Sequence, residues 1–349
     1  MSYALSLLDK SPLARGENAS DALRRTVALA QLAELLGYRR FWVAEHHSAP
    51  ELASSSPEVL IAFLLANTAN IRIGSGGVML QHYSAYKVAE NFNLLSSLAP
   101  GRVDLGVGKA PGGLPLSTRA LQGAYDPARK PDFAQQLADL GKFLDGPVQG
   151  ADPLAGLSAT PRPPAASERF LLGASVESAR LAASQGWNFV FARHLNGDDA
   201  LLDAAVAAYR AASGGQPPLV AVAIVVADTP EEAEHQTAAL QLFKVHIPGA
   251  QSVTVGSKAQ AEEYARQAGA SEYRIEPKTP SVVAGTARQV LAGLDRLHGR
   301  HGIEEFIVEP VAGGDQRLAV IEALAQERRK QASPQDGQPF SGKSLAVPA

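Results

Sequence analysis

His46 and His47 stand at the end of an apolar run, Phe41-Trp42-Val43-Ala44, with the carboxylate Glu45 directly before them. An imidazole titrates near neutrality, so it can take or give a proton at working pH. Successive side chains of a strand point to opposite faces. The two histidines therefore diverge: one can face a pocket while the other supports it, and Glu45 can orient an imidazole. His82, beside Tyr83, and His194, after Phe191-Ala192-Arg193, also follow apolar runs. Both are candidate pocket or supporting groups. Glu309, ahead of Pro310, closes the last apolar run and is a candidate for the pocket floor. His235, His246, His298 and His301 are expected to be solvated, in helices or turns.

Divergence also argues against a metal at the pair, and no HExxH spacing occurs, so no metal site is expected. The chain has no cysteine, which excludes disulfides, iron–sulfur clusters and thiol catalysis. Two motif matches fail on context. Residues 337–344 fit the phosphate-loop pattern letter for letter, but a polar stretch precedes them and no helical pattern follows. Gly106-Val107-Gly108 opens like a dinucleotide fingerprint, yet Pro111 occupies the third glycine position. A Rossmann nicotinamide site is therefore not expected.

The elements that must position these residues are short apolar runs alternating with amphipathic ones. Strands are expected at 3–8, 41–44, 71–74 with 78–80, 103–107, 170–172, 189–191, 219–226 and 305–308. Helices are expected from a Ser20 cap to Gly37, and at 57–69, 84–98, 133–144, 178–185, 201–212, 286–298 and 315–329. A long helix over 230–245, with a further helical segment to 268, completes the set. Residues 110–130 and 145–168 read as loops, and 331–349 as a disordered tail. Eight strands in a βα alternation within 349 residues favour one domain over 1–330, a (β/α)8 TIM barrel with loop insertions at the C-terminal face of the strands. The net charge of −3 gives no footprint for nucleic acid. No apolar run approaches the ~20 residues of a membrane span, and no secretory leader is read, so a soluble cytoplasmic protein is expected.

Several segments now combine: Glu45-His46-His47, the glycine-broken strand 71–78, Ala89-Glu90-Asn91, and 99–109 with Lys109 at its end. With 5–9, 173–186, 283–286 and 306–310, they resemble the bacterial-luciferase-like flavin monooxygenase family, closest to its single-chain, non-luminescent members. The resemblance implies a barrel binding FMN at the strands' C-terminal ends. Reduced FMN, supplied by a separate flavin reductase, would react with O2 to give a C4a-(hydro)peroxyflavin that oxidises a small organic substrate.

It also implies roles for residues. Gly76-Gly77 matches the family's non-proline cis peptide beneath the flavin ring; tight packing in the barrel is the other reading of these glycines. Lys109 stands where the family often has an arginine on the FMN phosphate, and offers a point charge instead of a fork. Ser175 and Ser178 flank a helix start, whose free amides suit a phosphate, provided Glu177 points outward. His46 matches the histidine at the reacting flavin edge, with His47 behind it. A homodimer through the helices near 57–69 and 84–98 is implied as well. The alternatives are an F420-dependent hydride-transfer enzyme on the same barrel, a non-catalytic flavin-binding protein, and a metal hydrolase. Substrate identity is not legible in the loops.

Overall fold

Strands covered on both faces read as near-continuous apolar runs, and the strands at 40–43, 103–108 and 305–310 are buried on both. The structure, a computed structural model, describes residues 3–126, 130–195, 197–250 and 252–332. The phosphate-loop match and nearly all of the expected tail lie outside the described residues.

The first half runs β1 (Ala4–Asp9), α1 (Ala19–Leu36), β2 (Arg40–Val43), α2 (Pro57–Ala66), β3 (Arg72–Ser75), β4 (Val78–Met79), α3 (Ala85–Leu98) and β5 (Val103–Gly108). Then come α4 (Pro115–Leu121), α5 (Phe133–Asp145), β6 (Glu168–Gly173), α6 (Val176–Ser184), β7 (Asn188–Ala192), α7 (Asp199–Ala212) and β8 (Leu219–Val226). The last part is α8 (Pro230–Ala238), β9 (Leu242–His246), β10 (Val253–Val255), α9 (Lys258–Gln267), β11 (Arg274–Lys278), β12 (Val282–Gly285), α10 (Ala287–His301), β13 (Glu305–Pro310) and α11 (Gln316–Ala332). Strands β1, β2, β3 with β4, β5, β6, β7, β8 and β13 pair in parallel in that order, and β13 returns to β1. That closure is the expected eight-stranded barrel, with helices outside.

The largest departure lies after α8. The helix expected over 230–245 stops at Ala238, and β9 pairs antiparallel with both β10 and β11 in a separate three-stranded sheet. Phe243, Val245 and Ile247 alternate with Lys244 and His246, which is a strand period, and Pro248-Gly249 then turns the chain. Only Lys258–Gln267 of the expected helical segment is helical. His246 thus sits on a strand, against Glu276, and His301 is buried, not solvated. β12, which the sequence reading leaves unassigned, runs parallel to the C-terminal half of β8. The loop over 110–130 contains α4, opened by Pro115 at its first position. The first helix is capped by Asn18, whose side chain accepts from the Asp21 amide at 3.0 Å, two residues before the expected Ser20.

Parity sorts the barrel strands. Leu5, Leu7, Phe41, Val43, Leu105, Phe189 and Val308 pack outward in the main helix-covered core. Leu8, Trp42, Phe170, Val190, Ala221 and Ile307 form a second cluster inside the barrel. Below it, at the strands' N-terminal ends, the inward positions are charged. Arg40 meets Glu305 at 2.7 Å, Glu168 at 2.7 Å and Asp104 at 3.1 Å; Arg72 meets Asp104 at 2.5 Å. Trp42 Nε1 donates to Asp104 at 2.9 Å and Ser6 Oγ to Glu305 at 2.5 Å. Burial raises the Asp104 pKa, a rise the two guanidinium groups oppose. Removing one partner of such a set leaves buried charge unpaired, at a cost of ~3–5 kcal/mol. Arg40→Met is accordingly expected to lower the unfolding free energy extrapolated from urea titration by an amount in that range. A loss under ~1 kcal/mol would show that the plug is dispensable.

Candidate functional site

The same alternation carries inward positions past the strand ends. After Leu8 comes Lys10, after Ala44 comes His46, after Ala192 comes His194, and after Ile307 comes Glu309. These four side chains meet at the C-terminal mouth. Lys10 Nζ lies 2.5 Å from Glu309 Oε1, and each imidazole feels both charges. His46 is held beyond its strand by its own amide, which donates to Ser54 O at 3.0 Å. Three buried atoms of this cluster lack partners: His46 Nδ1, His194 Nδ1 and Glu309 Oε2. Buried polar atoms are nearly always satisfied, so three exceptions in one titratable cluster call for an explanation, for which a bound ligand is one candidate. Burial, reinforced by Lys10, lowers His46 to about 4. Burial likewise lowers His194 to about 4. Both imidazoles are therefore neutral at pH 7. Glu309 is held down to about 2: burial opposes its charge, but Lys10, His194 and Arg317 favour it more.

Glu45 and His47 have the opposite parity and face the helices. Glu45 is fully buried and accepts from His47 Nε2 at 2.7 Å, Tyr83 OH at 2.8 Å and the Met79 amide at 3.0 Å. This carboxylate ties the end of β2 to β4 and the turn after it. His82 has a defined tautomer. Its Nε2 donates to Pro111 O at 2.7 Å, so Nδ1 accepts from Gln122 Nε2 at 2.9 Å. With the His47 amide bonded to Gly112 O at 2.8 Å, these contacts fasten the loop that follows β5. His47 and His82 thus anchor a loop beside the mouth and do not stand in it.

The remaining expected residues cluster at other strand ends. Gly76-Gly77 is a cis peptide. A Cβ on Gly76 would lie 2.7 Å from Leu8 Cδ1, and one on Gly77 2.8 Å from Gly106 O. Backbone packing therefore requires glycine at Gly77, while at Gly76 a Cβ would have to displace the end of the Leu8 side chain. Gly108 pairs with Leu172, which sets Lys109 beside Gly173 at neighbouring strand ends. Lys109 is exposed. Ser175 caps α6, accepting from the Ser178 amide at 3.2 Å, and the two hydroxyls lie 3.2 Å apart. Gly173 lets the strand end close on them, since a Cβ there would sit 2.5 Å from Ser178 Cβ. Glu177 is exposed, but its carboxylate does not simply point outward as expected: its own amide and the Ser175 hydroxyl bond it and lower its pKa, so it already takes donors at the start of α6. Among the described residues no group of three or more His, Asp or Glu could hold a metal. A cleft of about 740 Å³ lined by Arg193, Asp199, Arg296 and Arg300 lies behind β12 and shares no residue with the mouth.

The residues fit a flavin nucleotide. The orphaned nitrogens suit a ring with polar edges, and Lys109 with the start of α6 suits a phosphate. Lys10 is the member that sequence reasoning missed. Its signal was its place two residues after inward Leu8.

A barrel with a cluster of unsatisfied, titratable groups at its C-terminal mouth has the kind of site that enzymes of the (β/α)8 class carry. The family model for luciferase-like monooxygenases matches residues 1–303, and the chain belongs to that family. It is 46% identical over 308 residues to N-acetyl-S-alkylcysteine monooxygenase of Bacillus subtilis (strain 168), covering 87% of this chain and 91% of that protein. Among solved structures it resembles the oxygenating constituent of 3,6-diketocamphane monooxygenase of Pseudomonas putida in complex with FMN. That match has a TM-score of 0.64 and 17% identity, over 93% of this chain and 96% of the other. It also resembles an F420-dependent secondary alcohol dehydrogenase, with a TM-score of 0.65 and 16% identity, over 93% and 98% of the two chains. At those identities the likeness shows the fold alone. Among the described residues no helix is long and apolar enough to cross a membrane.

The imidazoles have a thermodynamic consequence. Their folded pKa of about 4 lies below the unfolded 6.5, so between those values the unfolded chain binds more protons. Stability must fall as the pH drops from 6.5 towards 4, by on the order of 2–3 kcal/mol per imidazole. Urea unfolding at pH 7 and pH 5 is expected to show a smaller acid loss in His46→Gln/His194→Gln than in the parent. An equal loss would place the titration elsewhere.

Proposed function

We propose that this chain is a monooxygenase that uses reduced FMN and O2 to oxidise a small organic substrate, its flavin delivered by a separate reductase. The observation that carries the reading is the pair of neutral imidazoles, each with a buried unpartnered Nδ1, at the mouth of a family barrel. Reduced FMN, when bound, supplies the electrons that activate O2. Lys109, Ser175, Ser178 and the first amides of α6 would hold its phosphate, and Gly76-Gly77 would lie under the ring. His46, neutral and aimed inward, would hold or move a proton at its free nitrogen. Glu45, His47 and His82 would fix the loop that shields the mouth from water. The absent dinucleotide fingerprint supports separate delivery: Gly106 sits inside β5, where a side chain would collide with Ser75 O.

The reading is tested with purified protein, a flavin reductase and thioethers of the kind named for the Bacillus relative. Oxygenated product is expected with FMN and not with F420. His46→Ala is expected to slow product formation by roughly 10²–10⁴-fold while reduced FMN still binds. Lys109→Ala is expected to weaken FMN more than riboflavin. Product formation only with F420 would favour the hydride-transfer reading, and unchanged turnover in His46→Ala would remove its role.

We further propose that the chain forms a homodimer through α2 and α3. Val59 and Phe63 on α2 and Leu94 and Leu98 on α3 are large, apolar and exposed, one turn apart on each helix. Phe63→Glu/Leu98→Glu is expected to give monomers by sedimentation velocity. A parent that sediments as a monomer at the same concentration would overturn the proposal.

A further inference from the structure

The cleft of about 740 Å³ behind β12 has residues of α7 and α10 on its walls and takes no part in the proposed oxygenation. A cleft of that size is ample for a small metabolite. Two close approaches build it. A Cβ on Gly293 would lie 2.6 Å from Val283 Cγ1, so α10 sits directly on β12 there. A Cβ on Gly197 would lie 2.4 Å from Ser281 Oγ, so the segment after β7 closes on the residue that precedes β12. Ser281, fixed in this way, accepts from Arg193 Nη1 at 2.9 Å.

Arg193 is thereby a pre-ordered cation in the cleft wall. Its side chain is 15% exposed, and Nη2 meets Asp199 Oδ1 at 3.2 Å. Its Nε is buried and has no partner among the described residues. Arg296 is the free cation. Its Nη2 lies over Gly293, 3.7 Å from where a Cβ would stand, and it makes no hydrogen bond or ion pair among the described residues. Arg300 is already paired, with Asp203. Three guanidinium groups thus stand against two carboxylates, an excess of one positive charge in a chain whose net charge is −3. Val283, Ala292 and Leu297 give the same cleft an apolar lining.

We infer that this cleft is a second binding site, for a small organic monocarboxylate with an apolar body. One negative charge balances the excess cation. A guanidinium fork matches the two oxygens of a carboxylate, and the under-used donors of Arg193 and Arg296 are what such a ligand needs. The apolar lining covers its carbon chain. A phosphate dianion would exceed the available charge, and a neutral molecule would leave Arg296 unpaired. The site does not depend on what the mouth binds.

The probe is hexanoate, titrated by NMR into the whole protein without flavin, with hexanol and inorganic phosphate in parallel. Hexanoate is expected to bind saturably, and hexanol and phosphate each at least tenfold more weakly. Arg296→Met removes the free cation, and Ala292→Leu fills the lining without changing a charge. Each is expected to weaken hexanoate about tenfold or more, while thermal unfolding stays as cooperative as in the parent. Lys10→Met at the mouth and Lys109→Ala at the expected phosphate seat are expected to leave hexanoate binding unchanged. Absence of saturable binding to the parent, hexanol or phosphate binding as tightly as hexanoate, or a folded Arg296→Met that binds like the parent would overturn the proposal. So would a loss seen in Lys10→Met or Lys109→Ala, which would place the carboxylate at the mouth.

Discussion

Arg40 must be inside the barrel, and most of the site follows from that. Its guanidinium joins three carboxylates from three other strands, and at 3% exposure it has no solvent to fall back on. Because the period of a strand is two residues, Arg40 inside means Trp42, Ala44 and His46 inside. A slip of one residue in β2 would bury Phe41 and Glu45 in the barrel and turn His46 to the helices. The plug thus sets, from the far end of the strand, which of two adjacent histidines meets a ligand.

The same parity explains why much of the architecture was readable. Runs such as 219–226 are apolar throughout because both faces are covered, and the sequence reading matched β8 at both ends. What it could not see were pairings across long separations. Arg40, Asp104, Glu168 and Glu305 come from four segments, and nothing local marks any of them as buried. Lys10 and Glu309 stand 299 positions apart, so nothing local to Lys10 marks it as the partner of Glu309 at the mouth. The antiparallel sheet after α8 was missed for a different reason. Its strands are short and half exposed, and the polar alternation of 230–245 fits a helix until the Pro248-Gly249 turn is given its weight.

Glycine was informative but ambiguous. A flat ligand and a crowded barrel both demand the absence of a side chain. At Gly77 the neighbouring backbone is close enough to exclude a Cβ without any ligand, and at Gly76 the Leu8 side chain crowds the same space. These glycines therefore report how tightly β3, β4 and β5 approach one another. Gly106 does the same, which is why a segment that opens like a nucleotide fingerprint is a piece of barrel packing. Lys109 carries separate information, since it is exposed and no packing requirement accounts for it, whereas Ser175 is accounted for as the cap of α6.

The two ends of the barrel treat charge differently, and the contrast bears on function. At the N-terminal end the arginines and carboxylates are matched, and Trp42 and Ser6 add hydrogen bonds to the carboxylates. At the C-terminal end two imidazole nitrogens and a carboxylate oxygen are buried without partners. An unpaired buried polar atom costs about 1–3 kcal/mol. The apolar layer of Leu8, Trp42, Phe170 and Ile307 shows that apolar side chains fit this barrel one step below. The unsatisfied groups therefore lie where a ligand can complete them, and the closed plug beneath keeps the strands in the register that holds them there.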